Sequence, residues 1–251
     1  MKHFMRRSVL EFIQRTPFET IIKDALMLFS SGKGAKYDRQ TFRVMARHLG
    51  EDSNCIDVGA YRGDIARHIL RYSPHGEIYA IEPVKQNCEF LQEKFPSLTV
   101  YCAALSDQDG EATFFHVRGR PARSGLRKQA YPDPNEQVDE VKVPVKTLDG
   151  LIPTDTPIDF IKIDVEGAEL NVLRGGQRLI EKWHPLIVLE HDEEASMKFD
   201  ATSEELRAFL VEECGMRIST MERWLQGQKP FDKDTFHAAR LEQQDFYFIA
   251  Y

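Results

Sequence analysis

The chain has 251 residues, room for one large α/β domain or for such a domain with a small N-terminal piece. Its hydrophobic fraction of 42% and mean hydropathy of −0.43 are those of an ordinary soluble globular protein, and no apolar run approaches the ~20 residues that span a bilayer. A net charge of −7 and a pI of 5.7 argue against nucleic acid as the main partner.

The N-terminus carries Lys2, Arg6 and Arg7, but Glu11 and Gln14 interrupt the apolar stretch that a signal peptide needs. A cytoplasmic protein is the simplest expectation. Cys55, Cys88, Cys102 and Cys214 form no C-x-x-C pair, and each falls in an apolar pattern; they read as buried thiols in a reducing compartment. Residues 1–37 read as a helical extension. Met5, Val9, Phe12 and Ile13 share one helical face, and Phe18, Ile21, Ile22, Met27 and Leu28 supply another, with Pro17 suited to a helix start. Such amphipathic helices can rest on a membrane surface, or pack on the domain or at a homodimer interface. A further helix over 38–49, with Phe42, Met45 and Leu49 on one face, opens the main domain at 38–251.

Residues 55–58 then form a short buried strand that breaks into a glycine turn, followed by Ile65, Ile69 and Leu70 at helical spacing. Strand, glycine turn and helix present free backbone N–H groups and a positive helix end to a ligand. Gly59 and Gly63 let the chain turn sharply and let a ligand lie against it. The spacing is not that of the dinucleotide fingerprint G-x-G-x-x-G. Asp57 precedes the first glycine and Asp64 follows the second, a pair that repels a pyrophosphate and favours a cation. S-adenosylmethionine, with its sulfonium and ammonium, suits that field, and Tyr61 offers a π-face to the sulfonium. The plainer alternative is a βα turn with a chance pair of glycines.

The next buried strand, 77–81, ends at Glu82 and Pro83. At this place in doubly wound folds an acid accepts from the ribose hydroxyls of the ligand; otherwise Glu82 caps the helix expected over 86–95. A third strand over 98–104 leads to Leu105, Ser106 and Asp107, placed to flank an adenine. Residues 111–146 interrupt the alternation of strand and helix. Strands at 111–117 and 138–147 enclose a polar loop bearing Arg118, Arg120, Arg123, Arg127 and Lys128, a candidate substrate loop or a solvated tip. Its cationic charge points to an anionic or polyhydroxylated substrate.

The strand over 158–163 again ends in an acid, Asp164, and the strand over 185–190 ends in Glu190 and His191. In open α/β sheets ligands bind beyond the carboxyl ends of strands, where the strand order reverses. Acids at several such ends therefore share one expected rim. Lys162 is out of place in a buried strand and calls for a carboxylate, with Glu190 a candidate, unless it snorkels at an edge. The segment 245–251 is dense in β formers and belongs inside the sheet.

Ile56-Asp-Val-Gly-Ala-Tyr-Arg-Gly63, Ile81-Glu-Pro83, Ala104-Leu-Ser-Asp107, Thr147-Leu-Asp149, Ile161-Lys-Ile-Asp-Val-Glu-Gly-Ala-Glu169 and Leu189-Glu190 resemble, in order and spacing, the FkbM-type S-adenosylmethionine-dependent methyltransferases. The likeness covers about residues 38–250. It implies an α/β, Rossmann-like class I methyltransferase: a seven-stranded, mostly parallel sheet with an antiparallel last strand and helices on both faces. It also implies O-methylation of a hydroxyl on a small molecule, sugar, glycolipid or polyketide-type acceptor. Asp57, Gly59 and Gly63 would bound the methionine end of the cofactor, Glu82 with Pro83 would hold the ribose, and Leu105, Ser106 and Asp107 would flank the adenine. Asp164 would face the sulfonium and the acceptor.

An alcohol is a poor nucleophile while it keeps its proton, so a base is expected nearby, with Asp164, Glu190 and His191 as candidates. In an alternative, Asp164, Glu190 and Asp192 surround Mg²⁺, although their spacing carries no metal signature. Two rival functions stand beside methyl transfer. One is a nucleotide-dependent oxidoreductase, against which the missing G-x-G-x-x-G counts. The other is a scaffold that binds the cofactor without turnover.

Overall fold

The computed structural model describes residues 33–129, 133, 135–241 and 247–251. The amphipathic helices expected before residue 33, and the membrane or dimer contacts expected of them, lie outside the described residues. By internal contacts the chain divides into residues 1–43 and 44–251. The helix expected over 38–49 runs Lys33–His48. No helix among the described residues is long and apolar enough to cross a membrane.

Seven strands build the main sheet: β1 (Cys55–Val58), β2 (Ile78–Ile81), β3 (Thr99–Tyr101), β7 (Phe160–Ile163), β8 (Leu186–Glu190), β9 (Ile218–Thr220) and β10 (Tyr247–Ala250). Their order is β3-β2-β1-β7-β8-β10-β9. β1 pairs in parallel with both β2 and β7, β2 with β3, and β7 with β8. β10 lies antiparallel between β8 and β9. Every residue of β1, β2 and β7 is buried. That explains their near-continuous apolar runs, because a parallel strand has to be covered on both faces. Ile56, Val58, Ile81, Ile161, Ile163 and Leu189 form the sheet's share of a core that continues into Leu170, Phe209 and Phe236.

From β1 the chain winds outward through β2 and β3, then returns to add β7 and β8 on the other side of β1. The order therefore reverses between β1 and β7, the point where such sheets leave a crevice at their carboxyl ends.

The region 111–146 is more regular than its sequence suggests. β5 (Gly110–Val117) and β6 (Val138–Lys146) pair antiparallel over their whole length, and the short β4 (Ala104–Leu105) joins β6 in parallel. The expected third strand is thus split. It ends at Tyr101, and the chain leaves the main sheet at Ala104 for a second, three-stranded one. Phe114, Val143 and Val145 of this ribbon pack with Ala104 and Val84 in a separate apolar cluster.

The expectation of four free thiols is corrected. Cys88, on the helix Lys85–Lys94, and Cys102, just beyond β3, are joined as a disulfide with Cα atoms 5.9 Å apart. The crossover from β2 through this helix to β3 brings the two cysteines together, which C-x-x-C spacing could not reveal. Cys55 and Cys214 are buried free thiols. A reducing compartment therefore loses the support that four unpaired cysteines would have lent it.

Candidate active site

A cavity of about 710 Å³ opens where the strand order reverses. Val58 with Gly59, Ile81 with Glu82, Asp164 and Glu190 line it from the ends of four adjacent strands. The ribbon closes one side with Phe114 and His116, and the segment after β5 contributes Arg123 and Ser124.

The glycine turn owes its residues to its neighbours. Gly59 has φ +82°, and a Cβ there would lie 2.0 Å from the carbonyl oxygen of Asp164, so only glycine lets the exits of β1 and β7 pass so closely. Gly63, at φ +79°, would drive a Cβ to 2.6 Å from Phe95 and 2.8 Å from Leu91. The expected free amides are not there. Gly59 and Ala60 donate to the carbonyl of Ile81, Gly63 donates to that of Ala60, and Tyr61 donates to the Glu82 carboxylate at 2.9 Å. The turn is tied to β2 and offers a ligand its shape rather than those donors. Tyr61, held at φ +46°, is 40% exposed and lines the cavity.

Glu82 is braced on three sides. One carboxylate oxygen accepts from the Val84 amide and the Asn87 side chain, both at 3.0 Å, and the other accepts from Tyr61. A carboxylate has about four acceptor sites, so three bonds leave one open toward the cavity. Burial raises its pKa, and the bonds from Asn87, Val84 and Tyr61 oppose that rise. The alternative role as a helix cap survives in part, since Val84 is the residue that precedes the helix. Asn87 was not singled out from the sequence, although its place five residues after the acid was the available signal.

Asp164 sits in a buried network drawn from three strands. The Lys162 ammonium donates to it at 3.1 Å, with the lysine side chain 4% exposed and the aspartate 35%. Lys162 does take a carboxylate partner, as expected of a buried ammonium, but the partner is Asp164 rather than the candidate Glu190. The Tyr247 hydroxyl, from β10, lies 2.7 Å from Glu190 and 3.3 Å from Asp164. Burial would raise the Asp164 carboxyl, but Lys162, together with hydrogen bonds from Glu190 and Tyr247, holds it below the usual carboxylate range. Glu190 moves the other way: burial, then the facing charge of Asp164, pushes it up. Of this facing pair, Asp164 carries the charge and Glu190 the proton.

Several expected residues lie elsewhere. Asp57 is buried within β1, does not line the cavity, and has one carboxylate oxygen without a hydrogen-bond partner. Burial raises its pKa to about 7, and Lys162, its neighbour across the β1–β7 pairing, opposes the rise. Gly63, Ser106 and Asp107 do not line the cavity either, whereas Pro83 and Leu105 do. The Ser106 amide donates to the Lys146 carbonyl, and its own carbonyl packs against Gly175.

His191 is corrected as a candidate base. It is 3% exposed, lines no part of the cavity, and is clamped between the hydroxyls of Ser203 at 2.9 Å and Ser196 at 3.1 Å. Two cations of the loop are paired away from the cavity, while Arg123 lines it. Arg118 pairs with Asp139 and Arg120 with Glu136, so their charge is spent within the ribbon. Glu166, Asp192 and Glu194 line the cavity beside Arg123 and Lys198. Among the described residues no group of three or more His, Cys, Asp or Glu is arranged to hold a metal ion, so the Mg²⁺ alternative on Asp164, Glu190 and Asp192 finds no such cluster.

The profile of the family described as Methyltransferase FkbM domain matches residues 57–218, more than half of the chain. The chain belongs to the FkbM methyltransferase family. The crystal structure of an FkbM methyltransferase from Methylobacillus flagellatus KT shares the fold, with TM-score 0.51 and 16% identity over 81% of this chain and 44% of that one. A TehB-like SAM-dependent methyltransferase from Corynebacterium glutamicum ATCC 13032 Kitasato aligns with TM-score 0.44 and 9% identity, over 84% and 85% of the two chains. Methyltransferase 1 of Beauveria bassiana (strain ARSEF 2860) is 26% identical over 146 residues, half of this chain and 59% of that protein's length.

The lining of the cavity fits S-adenosylmethionine, the methyl donor that the sequence resemblance implies. Acids outnumber bases around the cavity, which suits a cation. The open acceptor site on Glu82 suits a ribose hydroxyl, and the close pass of Gly59 against Asp164 leaves the rim free of side-chain bulk. The oxidoreductase alternative falls with the family assignment.

Proposed function

We propose that this chain is an O-methyltransferase whose acceptor is a hydroxyl of a small molecule, a sugar, a glycolipid or a polyketide-type product. The observation that carries the reading is Asp164, an ionised carboxylate open to the cavity and anchored from below by Lys162. Bound S-adenosylmethionine supplies a methyl carbon activated by its sulfonium. What the chain supplies is alignment, a dry wall and a place for the proton.

Asp164 accepts a hydrogen bond from the acceptor hydroxyl and so points an oxygen lone pair at the methyl carbon. With the methyl donor bound, the C–S electron pair would be left on its sulfur as the C–O bond forms, and Asp164 would take the proton released by the acceptor oxygen. A carboxylate held below its usual range is a weak base for an alcohol. An alkylated oxygen, however, is a far stronger acid than any carboxylic acid, so the proton moves readily once bonding has begun. Glu190 already carries a proton and is poorly placed to act first.

The test is transfer of labelled methyl from S-adenosylmethionine to a panel of hydroxylated acceptors. Wild-type protein is expected to label at least one class, and Asp164→Asn to lose about 10²- to 10⁴-fold in rate while still binding the methyl donor. Donor binding with no transfer to any hydroxyl would favour the scaffold reading instead.

A further inference from the structure

Three strands deliver acids to one point, and a single buried cation meets them. Asp57 lies directly across from Lys162 in the β1–β7 register, Asp164 is two residues further along the same strand, and Glu190 follows from the neighbouring β8. Lys162 is 3% exposed in the middle of an interior strand and also donates to the carbonyl of Ile163 at 3.3 Å. Its ammonium stands 5.1 Å from the centre of the Tyr247 ring. A buried ammonium is costly to keep, and an apolar residue of similar volume would serve a merely structural strand at least as well.

We infer that Lys162 is a positioning residue for methyl transfer: from beneath the cavity floor it fixes the rotamer and the charge of Asp164, the carboxylate that meets the acceptor hydroxyl. The inference rests on the role proposed above for Asp164. Tyr247 completes the arrangement, because its hydroxyl spans Glu190 and Asp164 and keeps the two carboxyls in register. The groups that act on Asp164 are Asp57 of β1, Lys162 of the strand it follows, Glu166 of the turn after it, Glu169 at the start of the next helix, Glu190 of β8 and Tyr247 of β10. Lys162 is the cation among them. Remove it, and burial together with four neighbouring carboxyls is opposed on Asp164 by the hydrogen bonds from Glu190 and Tyr247 alone.

The experiment needs no ligand. In protein labelled with ¹³C at the aspartate carboxyls, with Asp164→Asn to assign the signal, Asp164 is expected to stay ionised below the ordinary carboxylate range. In Lys162→Met its titration should rise by at least about 2 pH units, and in Lys162→Arg it should stay near the wild-type position. A folded Lys162→Met protein with an unchanged Asp164 titration overturns the inference. So does a wild-type Asp164 that titrates at or above the ordinary range, a result that stands even if the Met variant fails to fold. Because the titration uses the protein alone, a failure here is distinct from failure of the methyl-transfer assay, which would strike the proposed function.

Discussion

Glu82 is the side chain in the cavity whose position is most fully determined, since three protein donors hold its carboxylate and leave one acceptor site outward. Glu82→Gln replaces one oxygen by an NH₂ that faces donors. Affinity for S-adenosylmethionine is expected to fall by about 1.5–3 kcal/mol, the worth of a charged hydrogen bond, as read by calorimetry. Unchanged affinity would remove Glu82 from the site. Gly59→Ala acts differently. The left-handed φ alone costs about 1–3 kcal/mol, and the new Cβ also meets the Asp164 carbonyl, so a lowered melting temperature is expected even without cofactor. The acids Glu82, Asp164 and Glu190 were legible in the sequence, because each ends an apolar run. Asn87 and Tyr247 were not. Tyr247 reaches Asp164 from 83 residues away, and no local pattern reports that distance.

At the scale of elements, the exit of β8 shows a chemistry-bearing residue used for structure. His191 looked like a base by type and place, yet it ties the strand end to Ser196 and to Ser203 at the start of the helix Ser203–Ala208. His191→Ala should lower stability by about 1–3 kcal/mol, the cost of taking the imidazole away from the buried Ser196 hydroxyl, and leave methyl-donor affinity unchanged. A loss of affinity with unchanged melting would return His191 to the site. The arginines of the 118–129 segment make the same point. The charge of Arg118 and Arg120 looked available in sequence because their partners, Asp139 and Glu136, lie on the returning strand or just before it, whereas Arg123 does line the cavity. The two free cysteines are also structural. Burial pushes the Cys55 and Cys214 thiols up to about 12, so neither should be alkylated at neutral pH while the protein is folded, as mass spectrometry would show.

For the whole molecule, the gathering of acids has a thermodynamic consequence. Asp57 and Glu169 are raised to about 7 and Glu166 to about 8, in each case first by burial, and Glu190 is raised as well. These groups bind protons more tightly in the folded state than in the unfolded one. Their stabilising share is complete below the ordinary carboxylate range and is lost as pH rises through about 7 for Asp57 and Glu169, about 8 for Glu166 and about 9 for Glu190. Asp164 has the opposite sign, and its share is lost only as pH falls below that range. The ligand-free protein should therefore melt at lower temperature at pH 8.5 than at pH 5.5. A cationic methyl donor binding to the folded state recovers about 2.7 kcal/mol at a concentration of 100 times its Kd. A melting temperature that rises over this interval would contradict the raised carboxyls.

Local physics was enough to determine the strands, their apolar cores, the glycine turn and the acids at the strand ends, because hydrophobic period, backbone sterics and the cost of burying charge all act over a few residues. Only the tertiary structure decided which of those acids line one cavity, which cation sits beneath them, and that β4 leaves the main sheet for a second one. It also decided that His191, Ser106 and Asp107 do not line the cavity, and that Cys88 meets Cys102. Those outcomes depend on strand order and on partners brought from distant parts of the chain, and pairing across such distances leaves no trace in spacing or period.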